Sequence, residues 1–190
     1  HERPRFSFFQ MLSPRGGGRR EAPKFEQVAP GVAKHEQEIV LAPGVEPESD
    51  RYLPLRVAAA AAEFELPISP VTLQNLRRCP IRDSVWDDES RQLFVRLLAS
   101  GPALMRVWEE LDFVDIPGRW MPEWLGIRNR PSASAAHRYT IDRHSVEVTS
   151  RLARVSAARG ERYDDRHYTA LLLAGLLHDV GKRPFVTDHA

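Results

Sequence analysis

From residue 50 to residue 130 the chain is cut into helix-length pieces by proline. Pro54, Pro70, Pro102 and Pro117 stand where helices can begin, Pro67 and Pro80 where they must end, and Pro122 where the last is interrupted. Proline lacks a backbone N–H and fixes φ at about −65°, so it suits a helix's first turn and breaks its interior. The stretches between these prolines suit helices. Leu53–Phe64 contains Ala58–Ala62, a run of the best helix former. Ser69 caps a second helix that runs to about Arg78, and Asp87 or Asp88 caps a third, through Ala99, with Leu93, Phe94, Leu97 and Leu98 as its apolar stripe. Gly101-Pro102 opens a fourth, with Leu104, Val107, Trp108 and Leu111 on one face. A short fifth begins at Pro117 and is interrupted at Pro122, with Trp120 and Trp124 as core anchors. The fold class expected is mainly α.

Residues 1–49 differ. Within residues 1–24, Arg3, Arg5, Arg15, Arg19, Arg20 and Lys24 face only Glu2 and Glu21, and Gly16-Gly17-Gly18 loosens the backbone. A phosphate-binding loop needs Gly-Lys-Ser/Thr after a strand, and none follows, so this reads as a connector. Phe6, Phe8 and Phe9 suit docking on a further domain. Phe25–Ala29 and Glu38–Ala42 flank the turn dipeptide Pro30-Gly31 and read as a short β-hairpin or a pair of edge strands.

Charge and composition remove several functions. Twenty-seven basic against 26 acidic residues leave +1, so no global field draws nucleic acid or an anionic membrane. The longest strongly apolar run, Ala170–Leu177, falls far short of the ~20 residues that span a bilayer. The single cysteine, Cys79, has no internal disulfide partner and suits a reducing cytoplasm. The first residue is His, and no secretory pattern follows it. The chain therefore reads as a piece of something longer.

The chemistry lies after the small, polar linker Asn129–Ala136. Thr140 or Asp142 caps a helix to about Arg159, stopped by Gly160. His144 falls into register with Ile141, Val148, Leu152 and Val155, which puts an imidazole on the expected inward face. A buried imidazole must be hydrogen-bonded or bound to something. The next helix, from Asp164 or Asp165, carries Tyr168, Leu171, Leu172, Ala174, Gly175 and Leu176; apolar nearly all round, it reads as a central helix. His178 and Asp179 stand at its end, Gly175 leaves room for a close neighbour, and Lys182 follows one turn on. Two imidazoles and a carboxylate suit a divalent ion such as Zn, Fe, Mn or Co. With Lys182 steadying anionic oxygens, the set suits hydrolysis of a phosphoester.

Leu176-Leu177-His178-Asp179-Val180-Gly181-Lys182 resembles the signature of the HD-domain metal-dependent phosphohydrolase superfamily. His137–His144, Val28–Val32, Leu53–Ala62, Gly101-Pro102-Ala103, Trp108-Glu109 and Met121-Pro122-Glu123-Trp124 are similar to stretches of the bacterial protein-PII uridylyltransferase/uridylyl-removing enzymes, so the resemblance covers roughly residues 26–182. It implies that residues 1–49 edge an upstream nucleotidyltransferase domain. Residues 50–130 would then be an inter-domain helical array, and 131–190 the start of an incomplete HD-domain bundle. It further implies His144, His178 and Asp179 as ligands of a divalent metal (Mg, Mn, Fe or Zn), Asp179 and Lys182 as catalytic residues with Lys182 on phosphate, and His189 as a further ligand or phosphate contact. The implied partner is the PII signalling protein, from which UMP or AMP is removed, with glutamine as effector through ACT domains that this chain lacks. Arg183-Pro184 stands where the family usually has glycine after the lysine, and no Gly-Ser followed by an Asp-x-Asp strand is present. Two other readings compete: an HD phosphohydrolase of free nucleotides or an alarmone, and a non-catalytic helical interaction module.

Overall fold

A computed structural model describes residues 24–80, 86–131, 139–160 and 166–182. The glycine run, Phe6, Phe8, Phe9, His137, Asp164, Asp165 and His189 lie outside them.

The N-terminal hairpin is instead a three-stranded antiparallel meander: β1 (Glu26–Ala29), β2 (Val32–His35) and β3 (Glu38–Leu41), in that order. The two stretches read from the sequence, β1 and β3, are the edge strands of this sheet, each paired to β2 rather than to each other. Gly31 makes the first turn at φ +75°. The second turn uses Glu36 at φ +53°, a left-handed position without the glycine that would have announced it. In β2–β3 the register pairs Val32 with Leu41 and His35 with Glu38. The amide of Ile39 donates to the Pro67 carbonyl (2.8 Å), and the Ser69 amide donates back to Ile39 (2.9 Å), tying the sheet to the helices.

Seven helices follow among the described residues. α1 (Leu53–Glu63), α2 (Pro70–Leu76), α3 (Asp88–Leu98), α4 (Ala103–Phe113) and α5 (Ile116–Trp120) begin within two residues of the expected starts. Ser69 and Asp87 cap α2 and α3, accepting from the amides of Thr72 and Ser90. A 3-10 turn, Pro122–Gly126, follows α5. The helix buried nearly all round is α1: Val57–Ala62 are each 6% exposed or less. Alanine side chains let the sheet, α3 and α4 approach it from every side. Phe94, Trp108, Trp120 and Trp124 make one aromatic cluster, with Trp108 and Trp124 ring centroids 5.1 Å apart at 65°. The two tryptophans expected as core anchors are buried.

α6 (Ile141–Ala158) and α7 (Arg166–Leu177) pack against each other. Thr140 is the α6 N-cap by position, but its side chain makes no capping bond; Asp142, in the first turn, accepts from the Asn129 amide at 2.9 Å. Gly160 ends α6 at φ +76°.

Two expectations for this pair are corrected. The buried face of α6 is not the apolar stripe Ile141–Val148–Leu152–Val155. It is the row Ile141, Asp142, Ser145, Val146, Thr149, Ser150, Ala153 and Ser156; Val148 and Leu152 are half-buried and Val155 is exposed. Small residues win that face because α7 crosses it at short range. α7 is also not central among the described residues: Tyr168, Leu172, Gly175 and Leu176 are buried, while Leu171 and Leu177 are exposed.

Candidate metal centre

The α6–α7 crossing sets the geometry of the site. A Cβ on Gly175 would lie 2.7 Å from Leu152 Cδ1, 3.2 Å from Thr149 Oγ1 and 3.5 Å from the Thr149 Cα. A side chain there would have to displace Leu152 and press on Thr149. His144 lies five residues before Thr149 on α6, and His178 three residues after Gly175. Their rings meet edge-on, with centroids 5.4 Å apart and planes at 72°.

α7 ends with the His178 amide bonded to the Ala174 carbonyl at 2.9 Å, and the chain then turns through Asp179, Val180 and Gly181. Asp179 folds under this turn and is buried, while His178 and Lys182 stay partly exposed. The site is therefore anchored by a buried carboxylate and open on the side of the imidazole and the ammonium. His144, His178 and Asp179 each offer a ligand atom, and the three atoms lie within 4.8 Å of one another. No other such group of three occurs among the described residues. Three of the residues expected to share a metal are thus together, and Lys182 joins them: its Nζ stands 2.8 Å from Asp179 Oδ1. His189 lies outside the described residues.

Hydrogen bonding fixes which atoms face the centre. His178 Nδ1 lies 2.8 Å from the Gly175 carbonyl oxygen. A carbonyl can only accept, so Nδ1 carries a proton, and in the neutral ring the lone pair lies on Nε2. Nε2 faces Asp179 Oδ2 at 3.6 Å. Two electron-pair donors that face each other across this gap, one anionic, suit a cation between them. A backbone carbonyl holding the far nitrogen of a ligating histidine is the usual outer support of a metal site. Neutral imidazole and carboxylate donors fit Zn, Fe, Mn or Co, and three protein ligands leave coordination positions for water or substrate.

Sequence reasoning missed a second polar feature. A cavity of about 100 Å³ between α4, the 3-10 turn and α6 is lined by Trp108, Asp112, Trp124 and Asp142 among others. Asp112 Oδ2 accepts from Arg128 Nε at 2.8 Å, and burial raises the Asp112 carboxyl above its ordinary range. Trp108 Nε1, Trp124 Nε1, Asp112 Oδ1 and Asp142 Oδ1 have no hydrogen-bond partner among the described residues. The only sequence signal was an acidic residue in the first turn of α6.

No protein-family model and no solved structure matches the chain. Curated proteins do. Over 176 residues, 90% of its length, it is 39% identical to the bifunctional uridylyltransferase/uridylyl-removing enzyme of Streptomyces coelicolor. It is 40% identical over 169 residues, 88% of its length, to the enzyme of that name from Mycobacterium tuberculosis, and 35% identical over 70% of its length to that from Corynebacterium glutamicum. The chain spans about a fifth of the length of these relatives.

Proposed function

Since the chain is homologous to a segment of bifunctional uridylyltransferase/uridylyl-removing enzymes, we propose that it carries the start of the hydrolytic, nucleotide-removing centre of such an enzyme. The observation that carries this reading is the convergence of His144, His178 and Asp179 on one point, with the Lys182 ammonium beside it. His144, His178 and Asp179 hold a divalent ion. When bound, such an ion supplies Lewis acidity and makes water nucleophilic near neutral pH.

The remaining work belongs to the chain's own groups. Asp179 is the buried anion that anchors the site, and the Gly175 carbonyl keeps His178 Nε2 aimed inward. An ammonium has three donors, and Asp179 takes one of Lys182's; the other two serve the non-bridging oxygens of a phosphodiester. His189 is placed by the resemblance as a further ligand or phosphate contact. The substrate is the nucleotidylated PII protein, carrying UMP or AMP. Glutamine regulates the parent enzyme through domains outside this chain, and the enzyme works in the cytoplasm. No described helix is long and apolar enough to cross a membrane. The division into 1–49, 50–130 and 131–190 is part of the same proposal.

The test uses the full-length protein. His178→Ala is expected to keep nucleotidyl attachment to PII and to lose its removal. Removal at the wild-type rate would sink the site assignment. Hydrolysis of free nucleotides in preference to nucleotidylated PII would redirect the substrate to small molecules.

A further inference from the structure

The two oxygens of Asp179 face two different groups. Oδ1 is held by Lys182 Nζ at 2.8 Å, and Oδ2 faces His178 Nε2 at 3.6 Å. Asp179 is buried, so it cannot turn to water to satisfy a displaced oxygen. Lys182 is three residues on, and its amide bonds to the Asp179 carbonyl at 3.0 Å, which fixes the root of its side chain beside the carboxylate.

We propose that Lys182 is a positioning residue that sets how Asp179 meets the ion. By occupying Oδ1 it leaves Oδ2 alone for the metal. It also places a positive charge next to the ion, which weakens metal binding and keeps coordination positions open for water and phosphate. This duty is separate from contact with the substrate, and it rests on the metal centre proposed above.

The physical argument is Coulombic. A unit charge a few ångströms from a dication in a half-buried site opposes its binding, and a carboxylate sharing its charge with an ammonium is a poorer ligand than one free to use both oxygens. In a catalytic metal site that loss is useful, because an ion with all its positions filled by protein has none left for water or substrate. Lys182 thus trades affinity for access.

The experiment is a calorimetric titration of full-length protein with Mn2+ in three forms: wild type, Lys182→Met and His178→Ala. The wild type is expected to show a site that His178→Ala lacks. Lys182→Met is expected to bind Mn2+ at that site more tightly, on the order of tenfold. A gain in affinity is the informative sign, since mere damage to the fold lowers it. Unchanged or weaker Mn2+ binding in Lys182→Met would overturn this role while leaving the metal centre in place. A wild type with no site dependent on His178 would overturn both.

Discussion

Gly175 serves the site twice: its missing Cβ lets α7 lie against Thr149 of α6, and its carbonyl oxygen accepts a hydrogen bond from His178 Nδ1 at 2.8 Å. Helix spacing and imidazole orientation are therefore set by one residue. Gly175→Ala puts a methyl 2.7 Å from Leu152 Cδ1, which can swing away, and 3.2 Å from Thr149 Oγ1, which is held by its hydrogen bond to the Ser145 carbonyl at 2.9 Å. The expected cost is about 1–3 kcal/mol of stability, the range for overpacking, together with weaker metal binding. Urea unfolding and a Mn2+ titration measure the two effects.

Metal should stabilise the fold through the same residues. A ligand that binds only the folded state at 100 times its Kd adds about 2.7 kcal/mol. Mn2+ is expected to raise the melting temperature of the wild type and to leave His144→Ala and His178→Ala unmoved. An equal rise in all three would place the binding elsewhere.

Arg128 offsets a buried carboxylate. Its Nε donates to Asp112 Oδ2 and its Nη1 to Asp115 Oδ1, and burial raises the Asp112 carboxyl. Arg128 and Asp112 are a quarter and a fifth exposed, so water screens part of any loss. Arg128→Met should cost ~1–3 kcal/mol at pH 7. Because a raised carboxyl favours its neutral form in the folded state, that cost should shrink as pH falls through the raised range of Asp112. Unfolding of both forms between pH 7 and pH 4 gives the comparison.

Asp87 has the opposite sign. The Tyr52 hydroxyl donates to its Oδ2 at 2.5 Å, the Ser90 amide donates to its Oδ1 at 3.0 Å, and Arg51 pairs with it. Led by the Tyr52 bond, these hold its carboxyl well below the usual range. Its stabilising effect is present above the ordinary carboxylate pKa, ~3.9, and is lost as pH falls through the depressed value. Asp87→Asn and Tyr52→Phe should each lower the melting temperature at pH 7, and the gap to wild type should narrow in strong acid.

Cys79 should be inert. It is 1% exposed, and burial pushes its thiol up to about 12, so almost no thiolate exists at neutral pH. A disulfide reagent is expected to label it only after denaturation; rapid labelling of native protein would contradict its burial.

The helical array was legible because its signals are local. Pro54, Ser69-Pro70, Asp87 and Pro117 act on their own backbone, and α1 to α5 begin where these residues require. The sheet was half legible. The Pro30-Gly31 turn shows in the sequence, as do the two edge strands, but the Glu36–Gln37 turn carries no glycine, so the strand between them, β2, went unread.

By itself the sequence singled out the candidates for the chemistry: His144, His178, Asp179 and Lys182 are one short run and one earlier imidazole, picked out by residue type and spacing. The tertiary structure alone decided that they meet, which face of α6 is buried, and that α1 rather than α7 is the enclosed helix. Periodicity counts apolar residues along one helix, whereas burial depends on how near another helix can come. At Gly175 and Thr149 that nearness is won by small side chains, which a hydrophobic pattern does not record.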